Sequence, residues 1–427
     1  MKCLMPLAAL ALGMTFGGVA AAAPMAWIQM TATGAEARLV TDAKACPMIT
    51  IGRSRFRMTL RAPADGAFDN RVCAAALPKH GRSVIVEHTR LNPPKVRPGR
   101  IVILGDTGCR LKGLTTQHCN DPAAWPFARV AALAAAQKPD LVIHVGDYYY
   151  REKPCPDGET RCAGSPFGDR WPTWKAELFD PAAPLLAAAP WVFVRGNHED
   201  CKRGGAGWFR LLDAAPKPRV CPAQADTFVV DIGGTRLAIV DSADTDDILA
   251  PAPLVAAFAQ NLPITHGKPK TTWIVTHRPI WDSIRLGPLL NDGIVNATER
   301  EAVRGRSLAG VQLILSGHVH NFTSLDFGLA RPAQLIVGTG GDIQEGIDTP
   351  PPATGTVKID ALNAQVFTMG RFGYFVFDRQ GADWAGAFHD LTDRIVATCQ
   401  LQARSLRCSA AKPALPTTAN PRRRRRA

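Results

Sequence analysis

Leu141-Val142-Ile143-His144-Val145-Gly146-Asp147-Tyr148-Tyr149-Tyr150 is an apolar run of strand length that stops at a glycine and then delivers a carboxylate and three phenols. The same texture recurs along the chain. Ile101-Val102-Ile103-Leu104 runs into Gly105-Asp106-Thr107-Gly108, and Trp191-Val192-Phe193-Val194 leads through Arg195 to Gly196-Asn197-His198-Glu199. Trp273-Ile274-Val275-Thr276 ends in His277, and Leu313-Ile314-Leu315-Ser316 ends in Gly317-His318-Val319-His320. A further apolar run covers 237–240, and Ala-rich stretches of helix length lie between the runs at 127–137, 174–189 and 253–260. Strands buried on both faces read as continuous apolar runs, so this alternation predicts an α/β fold with a layered sheet. Open α/β sheets place their sites at the carboxyl ends of the strands, where these five endings fall.

Outward from this block the texture changes. Residues 24–96 carry short β-prone runs between Gly, Pro, Asp and Asn signals and predict a small β-rich region, closed by the linker-like Leu91-Asn-Pro-Pro-Lys-Val-Arg-Pro-Gly. After about residue 333 the runs shorten again, through 374–377 and 395–399, which predicts antiparallel strands completing a catalytic domain over 97–410. Residues 411–427 read as a disordered basic tail. At the other end, Lys2, an apolar stretch over 4–16 and the small residues Ala20–Ala23 read as a signal peptide spanning 1–23. That apolar stretch is shorter than the roughly 20 residues a spanning helix needs, so no transmembrane anchor is expected.

The chain has 427 residues, 46% of them hydrophobic and 20% charged, which excludes a wholly disordered or fibrous protein. Its net charge of +13 raises a nucleic-acid or membrane-surface partner. Much of that charge is the Arg422–Arg426 run, however, and the rest forms no second cluster, so no specific nucleic acid is predicted. Of the 11 cysteines, Cys3 falls within the signal, and the others form neighbouring couples: Cys46/Cys73, Cys109/Cys119, Cys155/Cys162, Cys201/Cys221 and Cys399/Cys408. Even numbers behind an export signal predict disulfides and a secreted or periplasmic location.

A single Asp after a strand is ordinarily a turn or helix cap, and a single His is ordinarily a core or surface residue. His80, His88, His118, His144, His266 and His389 keep that reading. The five endings together gather Asp106, Asp147, Tyr150, Asn197, His277, His318 and His320, a set of oxygen and imidazole donors suited to Fe, Mn or Zn. Seven donors exceed what one catalytic ion needs. Two ions roughly 3.5–4 Å apart can clamp the attacking and leaving oxygens of an in-line displacement at phosphorus. Asp147 is the candidate carboxylate for bridging them.

Over about residues 100–340 these blocks, in this order, resemble the calcineurin-like metallophosphoesterases, and most closely the purple acid phosphatase type. The broad superfamily opens with Asp-x-His, whereas this chain has Asp106-Thr107-Gly108 and so lacks that histidine. Its second block, Gly146-Asp147-Tyr148-Tyr149-Tyr150, matches the purple type's Gly-Asp-x-x-Tyr, where a tyrosinate takes over at the first metal. The two departures compensate each other. Ile274 stands where the family usually has Val, a conservative change.

The resemblance implies an αββα sandwich and two metal ions. Asp106, Asp147, Tyr150 and His320 would hold Fe(III), and Asp147, Asn197, His277 and His318 would hold a divalent Fe, Zn or Mn. His198 would donate a proton to the leaving group, with Glu199 or Asp200 orienting it. The implied reaction is hydrolysis of a small-molecule phosphate ester, by in-line attack of a hydroxide generated on the metals. A phosphodiesterase or nucleotidase on the same scaffold is the first alternative, with substrate choice in Cys155–Cys162, 204–208 and 281–291. A secreted anion-binding protein with a degenerate phosphoesterase fold is the second.

Overall fold

Strand Arg100–Leu104 pairs in parallel with Leu141–His144 and antiparallel with Gly373–Gln380. Its residues alternate between two cores: Ile101 and Ile103 face one, and Val102 and Leu104 face the other. That double burial is why the run is apolar at every position. The computed structural model describes residues 25–79, 81–262, 271–286, 289–293, 296–345 and 352–412. The expected signal peptide, His80, His266 and all but the first two residues of the expected tail lie outside these.

The first sheet has eleven strands. Beyond Leu141–His144 comes Trp191–Phe193 and then, again parallel, Met25–Thr31 from the N-terminal region. Gly34–Thr41, Arg71–Ala76 and Thr59–Ala62 extend that edge antiparallel. The region over 24–96 is β-rich as expected, and half of it continues the same sheet as the strands that carry the site. Its other strands, Met48–Ile51, Ser54–Arg57, Val84–Val86 and Thr89–Leu91, form a four-stranded sheet over a small core of Ile28, Leu39, Ile49 and Val86. On the opposite edge, Asp383–Asp390, Ile395–Gln402 and Ser405–Ala410 add the antiparallel strands expected after 333.

The second sheet has eight strands, with Thr235–Ile239, Thr271–Val275, Val311–Ser316 and Ala333–Val337 parallel at its centre. The two sheets close on a shared core in which Ile103, Ile143 and Phe375 meet Trp273, Leu315 and Phe322. Helices Phe127–Ala136 and Asp180–Ala188 cover the outer face of the first sheet, and Ala252–Asn261 and Ala297–Val303 cover that of the second. The architecture is the αββα sandwich. Among the described residues no helix is long and apolar enough to cross a membrane.

All five neighbouring cysteine couples are disulfide-bonded. Cys46–Cys73 closes a 27-residue separation and Cys155–Cys162 one of 7. Loop-closure entropy alone makes the first worth about 3.5 kcal/mol and the second about 2.4 kcal/mol. Urea unfolding of C46S/C73S should therefore show the larger loss of stability, and equal losses from the two pairs would contradict this account.

Candidate metal centre

The carboxyl ends of both sheets converge on one point. From the first sheet come Asp106, Asp147, Tyr150, Asn197 and His198, and from the second His277, His318 and His320. They form two donor groups. In one, the Tyr150 hydroxyl lies 2.9 Å from Asp147 Oδ2, 3.0 Å from His320 Nε2 and 3.4 Å from Asp106 Oδ1. In the other, Asn197 Oδ1 lies 3.0 Å from His277 Nε2 and 2.8 Å from His318 Nδ1, and His277 Nε2 is 3.2 Å from Asp147 Oδ2. Asp147 alone belongs to both groups. Every donor expected from the sequence is in this cluster.

The glycines explain how so many polar groups approach so closely. A Cβ on Gly146 would run into the His277 ring, one on Gly196 into the Asp147 carboxylate, and one on Gly317 into that of Asp106. Three donor residues themselves take positive φ, Asp106 at 56°, Asp147 at 59° and His318 at 72°. Left-handed backbone at non-glycine residues is uncommon and clusters where surroundings over-determine it. At Gly108 a Cβ would sit 2.7 Å from Tyr150 Cδ2 and 2.6 Å from the Tyr148 carbonyl. Any side chain at 108 would therefore meet both the Tyr148 carbonyl and the Tyr150 ring in this backbone.

Each imidazole is oriented through its outer nitrogen. His277 Nδ1 donates to the Val145 carbonyl at 2.8 Å, and His320 Nδ1 to the Ile343 carbonyl at 2.9 Å. His318 Nε2 faces Asp247 at 3.2 Å. With a cation bound, these contacts would leave the inner nitrogen of each ring free to face the cluster, as metal-binding histidines require. Two buried glutamates hold the loops. Glu199 accepts the amides of Asp147, Tyr148, Tyr149 and Gly196. Glu177, on a π-helical turn over Lys175–Phe179, accepts those of Cys109, Tyr150 and Arg151.

With only the protein's own charges acting, the cluster is electrostatically unsettled. Burial pushes Asp106 up and the Tyr150 phenol well above its ordinary value, with Asp147 adding to the latter. Burial also opposes the charge on Asp147, but His277 and His198 outweigh it and hold that carboxyl well below its usual range. Burial alone would lower His277 and His320, yet neighbouring carboxylates raise both to about 9. Two carboxylates, a phenol and an amide oxygen converging on one point with three neutral-capable imidazoles fit hard or borderline cations, which would relieve these conflicts. The described cysteines are all in disulfides, so no thiol competes.

His198 packs against the Tyr150 ring at 3.8 Å between centroids, and its Nε2 is 3.9 Å from Asp147 Oδ2. Its orienting group is neither Glu199, which is taken up by amides, nor Asp200, which pairs with Arg203 at 2.7 Å. Glu152 is the carboxylate that lies beside it, with Oε1 2.8 Å from His198 Nδ1. Sequence reasoning missed it because Glu152 follows no strand ending; only the turn after Tyr150 brings it round. Of the loops expected to choose substrates, the third does not put its tryptophan in the cleft. Trp281 is buried against Phe327 and bonds Asp360. Tyr148 and Tyr149 are buried packing residues, Tyr148 stacked on His144 at 3.9 Å.

The sequence profile described as Calcineurin-like phosphoesterase matches residues 99–322, the stretch that carries all these donors. The chain belongs to that family. The phosphoesterase is thus a metal-dependent phosphoester hydrolase, and its family together with the two donor groups sharing Asp147 implies a dinuclear metal site. Among solved structures it is similar to purple acid phosphatase PPD1 from yellow lupin (Lupinus luteus) seeds, at 13% identity over 91% of this chain and 74% of that one, with a TM-score of 0.55. It is similar also to PhoD, at 12% identity over 91% of this chain and 92% of that one, with a TM-score of 0.53. Both are likenesses of fold. No curated protein matches the phosphoesterase by sequence.

Gly108→Ala in the phosphoesterase should force Tyr150 out of the first donor group. Metal analysis of the purified variant should find one ion per chain retained, and thermal unfolding a loss of about 1–3 kcal/mol from overpacking. Two tightly bound ions in this variant would refute the steric coupling.

Proposed function

We propose that the chain is a secreted phosphomonoesterase of the purple acid phosphatase type. The observation that carries the reading is the pairing of Gly108 with Tyr150. The first block lacks the superfamily's histidine, and a phenol occupies the space beside Asp106, Asp147 and His320. Five disulfides support an oxidising compartment and, with it, the signal peptide over 1–23. Residues 97–410 are assigned as the catalytic domain.

Asp106, Asp147, Tyr150 and His320 would hold Fe(III), and Asp147, Asn197, His277 and His318 a divalent Fe, Zn or Mn. Bound there, the two cations would neutralise phosphoryl charge and lower the pKa of a water. The chain's own residues do the rest. Asp147 Oδ1 accepts the His198 amide at 3.0 Å, which ties the proton donor to the shared carboxylate. Glu152 on Nδ1 directs His198 Nε2 towards the cluster, where it hands a proton to the departing alkoxide. The Thr107 amide bonds the Asp147 carbonyl at 3.0 Å, which ties the two strand ends together.

His198→Ala should lower kcat roughly 10²–10⁴-fold while both metals stay bound; unchanged kcat would remove His198 from the mechanism. The visible spectrum of the purified protein should carry a Tyr150-to-Fe(III) charge-transfer band that Tyr150→Phe abolishes, whereas two non-iron ions and no colour would overturn the purple type. Turnover of a monoester should exceed that of a diester, and the reverse ranking would establish the phosphodiesterase alternative.

A further inference from the structure

A cavity of about 610 Å³ lies at the opposite end of the second sheet from the metal cluster. Its walls are turns. Residues 304–309 precede strand Val311–Ser316, and 330–331 precede Ala333–Val337. Residues 360–361 join Ala353–Ile359 to Leu362–Met369, and Arg404 lies between Ile395–Gln402 and Ser405–Ala410. His318 and His320 follow the far end of Val311–Ser316, roughly 20 Å away at the rise of an extended strand. Trp281, which stands clear of the catalytic cleft, lines this cavity instead.

Five guanidiniums line the space, those of Arg300, Arg304, Arg306, Arg331 and Arg404. Three carboxylates answer them. Arg300 forks onto Asp292 at 2.8 and 2.6 Å and meets Asp360 at 2.8 Å. Arg331 shares Asp360 at 3.3 Å, and Arg304 pairs with Glu301 at 2.6 Å. Among the described residues Arg306 and Arg404 form no ion pair, which leaves two positive charges over. Arg404 is half-buried: its Nη2 donates to the Leu308 carbonyl at 3.3 Å, and its Nε is enclosed with no hydrogen-bond partner. Arg331 lies over the rings of Trp281 at 4.5 Å and Phe327 at 4.7 Å. Burial pulls both guanidiniums, Arg331 and Arg404, below their ordinary value. A guanidinium that has shed water without gaining a full counter-charge recovers the loss from an anion. Rings and a carbonyl already hold these two in place, so little ordering remains to be done on binding.

We infer that this cavity is a second binding site, separate from the metal cluster, for a dianionic phosphate group, free or at the head of a small organic molecule. A phosphate group carries about −1.5 to −2 charges at pH 7, which matches the charge left over. The planar fork of a guanidinium fits its paired oxygens. Arg306 and Arg404 are the chief contacts. Ser307 stands beside them, and its Oγ accepts the Ala309 amide at 3.3 Å, which leaves the hydroxyl proton for a ligand oxygen. The volume falls within the roughly 300–1,000 Å³ of small-molecule sites and leaves room beyond the phosphate itself. Leu308 and Leu362 line part of it and suit an apolar body. Nothing here depends on which ester the metal cluster hydrolyses.

Equilibrium dialysis of the metal-loaded protein with radiolabelled inorganic phosphate counts the sites per chain. An ionic strength of about 0.15 M screens loose surface attraction. Arg306→Ala/Arg404→Gln should bind one phosphate fewer than the wild type, with kcat/KM on p-nitrophenyl phosphate and competitive inhibition by phosphate unchanged. Arg306 is exposed, so Arg306→Ala alone spares the fold and decides the matter if the double variant does not fold. It should weaken that one site roughly 10- to 100-fold, the range of a charged hydrogen bond. Phenylphosphonate, which has no ester bond to hydrolyse, is the second probe. Tighter binding of phenylphosphonate at this site assigns a small organic phosphate as the source, and tighter binding of phosphate assigns the free ion. An equal count in wild type and double variant, or an Arg306→Ala protein that holds every phosphate as tightly as wild type, would overturn the inference and leave the phosphatase reading standing. A wild type that turns over no monoester would overturn that reading instead and leave the count of sites untouched.

Discussion

Burying the Asp147 carboxylate between two β-sheets sets the terms for everything around it. A carboxylate out of water must be hydrogen-bonded and matched by positive charge or it stays protonated. Here one oxygen takes the His198 amide, and the other faces Tyr150 and His277. The backbone at Asp147 is left-handed, the preceding Gly146 leaves room for the His277 ring, and Gly196 leaves room for the carboxylate. Glu199 closes the arrangement by gathering four amides from the two loops that meet there. The strain and the desolvation are tolerable because the strands beneath are fixed by a core shared between both sheets.

The sequence made the strands and the donors legible for one physical reason. A strand covered on both faces is apolar throughout, so a polar residue at its end stands out, as at Ser316-Gly317-His318 and Thr276-His277. The layered architecture follows from the same runs. The seven side chains that converge at the rim stood out by type and place, and Gly108 with Tyr150 carried the resemblance to the purple type. What was not legible depends on loop conformation. Glu152 and Lys112 meet at His198 because a hairpin closed by Cys109–Cys119 folds over the turn after Tyr150, and no periodicity records that. Glu199, beside His198 in sequence, is turned away from it to serve as a backbone acceptor. Adjacency along a loop says little about which atoms meet.

The N-terminal region teaches a related lesson. Its short runs announced strands, but a run of seven residues does not state which edge it will join. Met25–Thr31 pairs with Trp191–Phe193, the strand that leads to Asn197 and His198. It would otherwise be an open edge beside the site, prone to pairing with other chains. The small core of Ile28, Leu39, Ile49 and Val86, with Cys46–Cys73 beside it, then stiffens that added margin.

The two sheets contribute unequally to the cluster: carboxylates, phenol and amide come from one, and histidines alone come from the other. A cation held by donors from both therefore rivets one layer to the other at the rim of the sandwich. Whatever binds the folded arrangement and not the separated layers adds its binding free energy to the fold. Metal supply would then govern the lifetime of the folded protein as well as its turnover, because starving the site also loosens the seam that keeps water out of the core.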